Sequence, residues 1–145
     1  MSKLKLPPEV KFHEDIHLLV YRPLGLLNQA SVDRVIVALE ELESSLQEPF
    51  NRFTDTVGAD ASDLNFEYII RVSLHRREVY RNNQPIKSAI LATDSTLIHY
   101  GKVHALLTQG SPIDVRVLHD RQEAAKWLGV AVERIGSRGH RENRR

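Results

Sequence analysis

The 145-residue sequence contains no cysteine, and it has no uninterrupted apolar run approaching 18 residues. The missing thiols exclude cysteine catalysis, disulfides and cysteine-ligated zinc. The missing apolar run predicts that no segment spans a membrane. The first eight residues also lack an apolar stretch of signal-peptide length, so a cytoplasmic protein is expected. The length suits one domain that can bury a core without disulfides.

A strong charge of one sign is lacking as well, since the net charge at pH 7 is +1. The surplus lies in residues 136–145, which contain four arginines and one glutamate, and residues 1–135 are slightly acidic. This distribution makes nucleic acid an unexpected partner. We interpret residues 1–9 as an N-terminal extension, 10–135 as one α/β domain and 136–145 as a basic, disordered tail. A functional basic arm is the alternative for the tail.

What the sequence does contain is a repeated alternation of extended and helical patterns. The predicted strands are residues 10–13, 16–21, 50–57, 86–93 and 114–119. The first two form a hairpin around Glu14 and Asp15, and a helical pattern follows the second strand and each later one. This order predicts a largely parallel sheet of four or five strands, flanked by about four helices with right-handed connections.

Helical spacing of apolar residues predicts four helices, which start near residues 31, 62, 95 and 120. Ser31 and Ser62 are the expected N-caps of the first two helices. In the first helix the glutamates, Glu43 among them, fall away from the apolar stripe. Gly101 lies inside the third helix, which indicates close backbone packing. Trp127 is expected to be largely buried and to anchor the last helix to the sheet.

One pattern of metal-ligating residues occurs, at His13, Glu14 and His17. It matches the zinc-protease pattern, which needs both histidines on one helical face and the glutamate as a base. Here the segment leads into an apolar strand, and residues four apart on a strand are separated by roughly 13 Å, too far to share one metal. We therefore predict that His13 and His17 flank a turn and bind no metal.

Arg52 and Asp55 lie on a strand whose C-terminal end is expected at the ligand-binding edge of an open α/β sheet. Because they are three residues apart, their side chains point to opposite faces. In one interpretation one of them binds a ligand while the other holds a helix. In the simpler one Arg52 pairs with a neighbouring acid and Asp55 caps a loop. His104, on an apolar helical stripe, is expected to be a satisfied, half-buried histidine, with a site role as the alternative.

The second helix carries two arginines, Arg76 and Arg77, close to its apolar side and near Tyr80. An arginine in such a position must be paired, at an interface, or extended along the surface into water. A symmetric dimer is one arrangement, in which the arginine heads pair with carboxylates of the partner. Surface arginines that reach into water are the alternative.

Several short motifs resemble the SpoIIAA-like family of bacterial proteins. That family belongs with STAS domains (sulfate transporter and anti-sigma antagonist) and borders on the Sec-fourteen/CRAL-TRIO lipid-exchange fold. The motifs lie between about residues 10 and 129, and they are Arg22-Pro23-Leu24-Gly25, Phe50-Asn51-Arg52-Phe53-Thr54-Asp55, Asp63-Leu64, Lys87-Ser88-Ala89 and Glu123-Ala124-Ala125-Lys126-Trp127-Leu128-Gly129.

The resemblance implies a small sheet with helices mostly on one face, no enzymatic activity and no cofactor. Anti-sigma-factor antagonists of the STAS class carry a phosphorylatable serine at the start of the helix that follows a strand ending in aspartate. Ser62 is the nearest match to that phospho-acceptor. The sequence departs from the family here, because the loop after Asp55 is longer and no glycine follows Ser62.

The sequence thus predicts a non-catalytic STAS-like interaction or regulatory module, which binds another protein or itself. The alternative is a small-ligand or lipid-binding protein of the CRAL-TRIO-like type, with a pocket for a small apolar or anionic ligand beside the second and third helices. An apolar cavity with one charged anchor would favour ligand binding. A flat apolar helix face rimmed by arginines would favour the interaction module.

Overall fold

The computed structural model describes residues 5–80 and 84–136, and within them the main sheet has five strands. Their spatial order is β1 (Val10–His13), β2 (Leu18–Tyr21), β4 (Asn51–Asp55), β6 (Ile86–Leu91) and β7 (Ile113–Leu118). β1 runs antiparallel to β2, and the other neighbours are parallel. Two short strands, β3 (Gly25–Leu26) and β5 (Ala59–Asp60), pair with each other. The predicted mostly parallel sheet is confirmed.

The described part of the chain contains four α-helices, as predicted. They are α1 (Gln29–Ser45), α2 (Phe66–Val79), α3 (Ser95–Leu107) and α4 (Arg121–Leu128). Single 3₁₀ turns are formed by Glu14–Ile16, which closes the predicted hairpin, and by Val132–Ile135. Each of the helices α1, α2 and α3 connects two neighbouring parallel strands, so the architecture is α/β.

Two of the predicted N-caps are wrong. Asn28 caps α1, because its Oδ1 accepts the backbone N–H of Ser31 at 2.9 Å while the hydroxyl of Ser31 accepts the N–H of Asn28. Asn65 caps α2, since its Oδ1 accepts the N–H of Tyr68 at 2.9 Å. Asparagine caps helices as well as serine does, so each helix begins at the asparagine. Ser62 therefore precedes α2 by several residues.

The helices cover the two faces of the sheet unequally. α4 and the last 3₁₀ turn cover one face, where a single cluster of buried side chains comprises Leu18, Val20, Phe53, Ala89, Leu91, Ala124, Ala125, Leu128 and Ile135. α1, α2 and α3 cover the opposite face, and there the buried apolar residues of the described chain fall into three separate clusters. The middle of this second layer is therefore not a continuous apolar core.

Gly101 confirms the close approach predicted for α3. A Cβ atom placed on Gly101 would lie 2.7 Å from Cγ2 of Val117 on β7, well inside van der Waals contact. Only glycine lets the helix backbone lie this near the sheet.

Trp127 is partly buried and packs against the cluster beneath α4, where it is less buried than Ala124 and Leu128. Its ring lies at the margin of the α4 cluster, where the Arg116 guanidinium carbon is 4.8 Å and the Lys87 ammonium 5.4 Å from the ring centre. Ala124 and Leu128, on the inner side of α4, are the buried contacts with the sheet.

No helix formed by residues 5–80 or 84–136 is long and apolar enough to cross a membrane. The predicted basic tail lies outside the described residues apart from Gly136. Within the predicted N-terminal extension, Leu6 packs against the apolar cluster beneath α1. The carbonyl of Pro7 also accepts the N–H of Val10 at 3.0 Å.

Candidate functional site

A buried group of charges joins α1, β4 and α2; we call Glu40, Glu43, Arg52 and Arg76 the arginine–glutamate cluster. Nη1 of Arg52 donates to Oε2 of Glu43 at 2.8 Å. Arg76 donates from Nη1 to Glu40 at 3.0 Å and to Oε1 of Glu43 at 3.1 Å, and from Nη2 to Oε2 of Glu43. Glu43 therefore faces inward, contrary to the prediction that it falls away from the apolar stripe of the first helix.

Arg52 is buried, yet only part of its guanidinium is satisfied. Its Nε and Nη2 are shielded from solvent and find no hydrogen-bond partner within the described chain. Burial lowers the pKa of Arg52, and the Glu43 carboxylate opposes that shift. The side chain also lies 4.5 Å from the centre of the Phe50 ring, which supports the guanidinium on one face. Two adjacent donors on the edge of a buried cation are thus left unoccupied.

Arg52 and Arg76 line a cavity of about 220 Å³ between the sheet and helices α1 to α3, which we call the inner cavity. Its walls are mainly apolar and include Leu19, Val35, Leu39, Ile69, Val72, Ile90 and Leu97. Its polar side chains are hydroxyl-bearing ones, the two arginines and His104, and no aspartate or glutamate is found among the described residues that line it. The inner cavity is therefore an apolar space whose charged groups are positive.

The strands that form the floor of the inner cavity present polar side chains to it, at positions that are apolar in an ordinary core. Ser88 on β6 lies directly across from Arg52 in register, and Thr54 follows two residues along β4 on the same face. Among the described residues, the hydroxyls of Thr54 and Ser88 make no side-chain hydrogen bond and so remain available to a ligand.

On its other side the arginine–glutamate cluster borders a second space of about 290 Å³, the outer cleft. Glu40, Glu43 and Glu48 line this cleft with Phe50 and Tyr80. Arg52 is shared by the outer cleft and the inner cavity. One side of Arg52 is thus acidic and the other is free of acids.

His104 lies in the inner cavity, half-buried, as predicted. Its Nδ1 is 2.7 Å from Oγ of Ser73, a buried residue of α2 whose hydroxyl also lies 2.8 Å from the carbonyl of Ile69. The carbonyl can only accept, so the hydroxyl proton is donated to Ile69 and Nδ1 of His104 donates to Ser73. Burial, and secondly the charge of Arg76, lowers the pKa of His104 to about 4. His104 is therefore a neutral donor to Ser73.

Two of the three residues singled out at the end of α2, Arg76 and Tyr80, are buried, whereas Arg77 is exposed. Arg76 is buried in the arginine–glutamate cluster, and Tyr80 is buried with its hydroxyl donating to the carbonyl of Gln84 at 3.1 Å. Burial raises the pKa of Tyr80. Arg77 is exposed and donates to the carbonyls of Leu107 and Gln109. Arg76 is paired with glutamates of its own chain and Arg77 with backbone carbonyls, so neither arginine depends on a partner subunit for its hydrogen bonds, and the pairing with carboxylates of a partner stays a prediction.

Asp55 has the structural role foreseen in the simpler interpretation. It is buried on the α4 face, where Oδ2 accepts from Nη2 of Arg121 at 2.7 Å and lies 3.5 Å from Nε of Arg22. Oδ1 accepts the N–H of Val57 at 3.1 Å. Arg22 in turn donates to the carbonyls of Ile135 and Gly136. Asp55 thus holds α4 and the last described turn against the sheet, on the face opposite Arg52.

Ser62 is exposed in the loop before α2, where its N–H donates to Oδ1 of Asp60 at 2.9 Å. The position at the start of a helix that a STAS-type phospho-acceptor occupies is taken here by Asn65. The helix-start placement expected for Ser62 is therefore wrong.

His13 and His17 flank the 3₁₀ turn at Glu14–Ile16, as predicted. His17 has a left-handed backbone, with φ of 50°, and its Nε2 is 3.3 Å from Glu48. Burial, together with the nearby Arg134, lowers the pKa of His13. The helical face that the zinc-protease pattern requires is not formed. Within the described residues no group of three or more His, Asp or Glu side chains could hold a metal.

Several residues of the inner cavity were not singled out from the sequence. Among them are the hydroxyl-bearing residues Thr54, Ser73 and Ser88. Glu43, which orients Arg52 from outside the cavity, was not singled out either. The signal that could have found them is a strand with polar residues at alternate positions, Arg52 and Thr54, in a buried element of a parallel sheet. In such a strand every side chain is normally apolar.

The sequence matches no protein-family profile, and no curated protein shows significant similarity to it. The resemblance to the SpoIIAA-like family stays a prediction that rests on the motifs quoted above.

Proposed function

We propose that the protein is a non-catalytic, STAS-like or CRAL-TRIO-like module that binds a small, mainly apolar ligand in the inner cavity. The observation that carries this proposal is a cavity of about 220 Å³ with apolar walls and a buried, incompletely satisfied arginine. Its place beneath α2 and α3 is the one that the ligand-binding alternative requires.

The size of the inner cavity supports a ligand of modest dimensions. Protein interiors are close-packed and contain few voids larger than one water molecule. A cavity of about 150 Å³ lined by apolar residues is enough to bind benzene. The inner cavity is larger, at about 220 Å³, and its polar groups are few and clustered, which is typical of sites that orient a small molecule.

The pair of Ser73 and His104 supports binding rather than catalysis. A serine nucleophile needs a base that accepts its proton. Here the hydroxyl proton of Ser73 is donated to the Ile69 carbonyl, and His104 presents a donor to Ser73. The hydrogen bond between the two residues therefore runs in the opposite direction from that of a catalytic dyad, and the pair serves as a fixed part of the cavity wall.

Native mass spectrometry of the full chain, purified from its own host, tests the proposal. The expected result is a bound small molecule of constant mass, released on denaturation. A Val72→Phe variant, which fills the inner cavity, should lose the adduct. Leu74→Phe, on the exposed side of the same helix, should keep it. If neither the wild type nor Leu74→Phe carries a ligand, and no small apolar compound raises the melting temperature, ligand binding is contradicted.

A second candidate function, self-association or binding of another protein, is favoured by an exposed apolar stripe on α2. Phe66, Ile70 and Leu74 are four residues apart and so share one side of the helix, and all are at least 40% exposed. This stripe, rather than Arg76 and Arg77, would form the contact.

Analytical ultracentrifugation of the wild type and an Ile70→Glu/Leu74→Glu variant tests this second function. The wild type should dimerise at concentrations on the order of tens of micromolar and the variant should not. Val37→Glu, at an exposed apolar position of α1, is the matched control and should dimerise normally. A monomeric wild type would contradict self-association.

A further inference from the structure

We propose, on the basis of the ligand-binding function above, that the ligand is a small monocarboxylic acid. Its carboxylate accepts hydrogen bonds from Nε and Nη2 of Arg52, and its hydrocarbon part occupies the inner cavity.

The unoccupied donors of Arg52 have the arrangement that a carboxylate matches. Nε and Nη2 belong to one planar guanidinium and are both buried without a partner in the described chain, while Nη1 is engaged by Glu43. Two parallel N–H groups on a guanidinium match the two oxygens of a carboxylate. A buried donor without a partner costs free energy, so an acceptor that reaches both donors is stabilised there.

The charge around Arg52 is unevenly distributed. The charged side chains that line the inner cavity are those of Arg52 and Arg76, and no acid within residues 5–80 and 84–136 lines it. The outer cleft, by contrast, is lined by three glutamates. An anion is therefore repelled from the outer side of Arg52 and attracted to the inner side.

The charge balance of the arginine–glutamate cluster limits the charge of the ligand to one. The two arginines of the arginine–glutamate cluster are balanced by its two glutamates, since Glu43 pairs with Arg52 and Arg76, and Glu40 pairs with Arg76. One added negative charge is offset by the two unoccupied donors of Arg52. A dianionic phosphate would add a second buried negative charge with no counter-ion.

The residues around the proposed position of the anion suit a carboxylate with a hydrocarbon part. Ser88 lies across from Arg52 with a free hydroxyl, which can donate to the same carboxylate. Beyond this point the walls are apolar side chains such as Leu39, Val72 and Ile90, which suit a short aliphatic or aromatic group.

Isothermal titration calorimetry of the full chain with octanoate, octanamide and octyl phosphate tests the ligand class. Octanoate should bind at least about tenfold more tightly than either of the others, because only it presents a singly charged pair of acceptors. Equal affinity for octanoate and octanamide would overturn the carboxylate assignment and leave the proposed function standing. Tighter binding of octyl phosphate would also overturn it. If none of the three binds, the assignment and the proposed function both fail.

An Arg52→Lys variant tests the residue. Lysine keeps a positive charge beside Glu43 but has no planar pair of donors, so octanoate binding should weaken at least about tenfold. The affinity of the variant for octanamide should stay within about threefold of the wild-type value. A variant that did not fold would lose octanamide binding as well. Arg77→Lys, an exposed change on α2, is the matched control and should bind octanoate as the wild type does. Undiminished octanoate binding by Arg52→Lys would refute the role of Arg52. The comparison of ligands on the wild type stands even if this variant does not fold.

Discussion

Glu43 on α1 and Arg52 on β4 form a buried ion pair, with 2.8 Å between Oε2 and Nη1. The two residues are nine positions apart in the sequence. The same carboxylate also accepts from Arg76 on α2, so one side chain ties together two helices and a strand. The pair leaves the Nε and Nη2 edge of Arg52 unoccupied, which makes Glu43 both a structural and an orienting residue for the inner cavity.

The first prediction concerns the free energy of unfolding of a Glu43→Gln variant. Removal of the negative charge leaves two buried guanidinium groups without their shared counter-ion, and breaking a buried pair in this way costs about 3–5 kcal/mol. Glu41→Gln, two residues away on the exposed side of α1, should change stability by less than about 0.5 kcal/mol. Urea melts of both variants measure the difference, and equal stabilities would show that the cluster is not structurally important.

Much of the fold could be predicted because the local patterns agreed with one another. The hairpin around Glu14–Ile16, the parallel strands and the four helices all follow from apolar periodicity and turn residues. The Asp120 cap and the left-handed Gly129 at the end of α4 follow from side-chain capping rules. These features depend on residues that are close in sequence.

The inner cavity could be predicted only in outline. Arg52 and His104 could be singled out as polar residues in apolar elements, but their partners belong to other elements. Ser73 meets His104 from 31 residues away, and Arg76 meets Glu43 from 33. Such pairs depend on how helices are rotated about their axes, and a pattern of charges on one helix does not determine that rotation. For the same reason Glu43 could be assigned to the wrong side of α1.

The second prediction is that Gly101→Ala destabilises the protein despite the better helix propensity of alanine. The propensity gain is about 1 kcal/mol, but the new methyl group would lie 2.7 Å from Cγ2 of Val117, and overpacking of this kind costs about 1–3 kcal/mol. Thermal melts should show a net loss. In a Val117→Ala background the same change should become neutral or stabilising. A stabilised single variant would mean that α3 shifts freely on the sheet.

The third prediction separates Trp127 from Leu128 as anchors of α4. Leu128 is buried in the cluster with the sheet, so Leu128→Ala should cost about 2–5 kcal/mol. Trp127 is half-buried at the margin, so Trp127→Ala should cost less, about 1–2 kcal/mol. Denaturant melts of the two variants give the comparison. The reverse order would show that the contacts of the indole with Lys87 and Arg116 hold α4 in place.

The fourth prediction concerns the pH dependence that His104 gives to stability. In an unfolded chain a histidine takes up its proton near pH 6.5, whereas in the fold His104 does so near pH 4. Between these values the unfolded state binds more protons, so the fold loses stability as the pH falls from about 6.5 to about 4. The contribution of His104 to the free energy of unfolding is fully present above pH 6.5. By about pH 4 up to about 3 kcal/mol of it is lost.

A His104→Asn variant isolates this contribution, because its amide nitrogen replaces Nδ1 as the donor to Ser73 without titrating in this range. The free energy of unfolding, measured in urea at a series of pH values between 4 and 7, should decline less in the variant than in the wild type. The slope that remains in the variant reports all other groups, including His13, whose pKa is also lowered. Identical slopes for the two proteins would mean that His104 takes up a proton in the fold as readily as in the unfolded chain, which would contradict its burial beside Arg76.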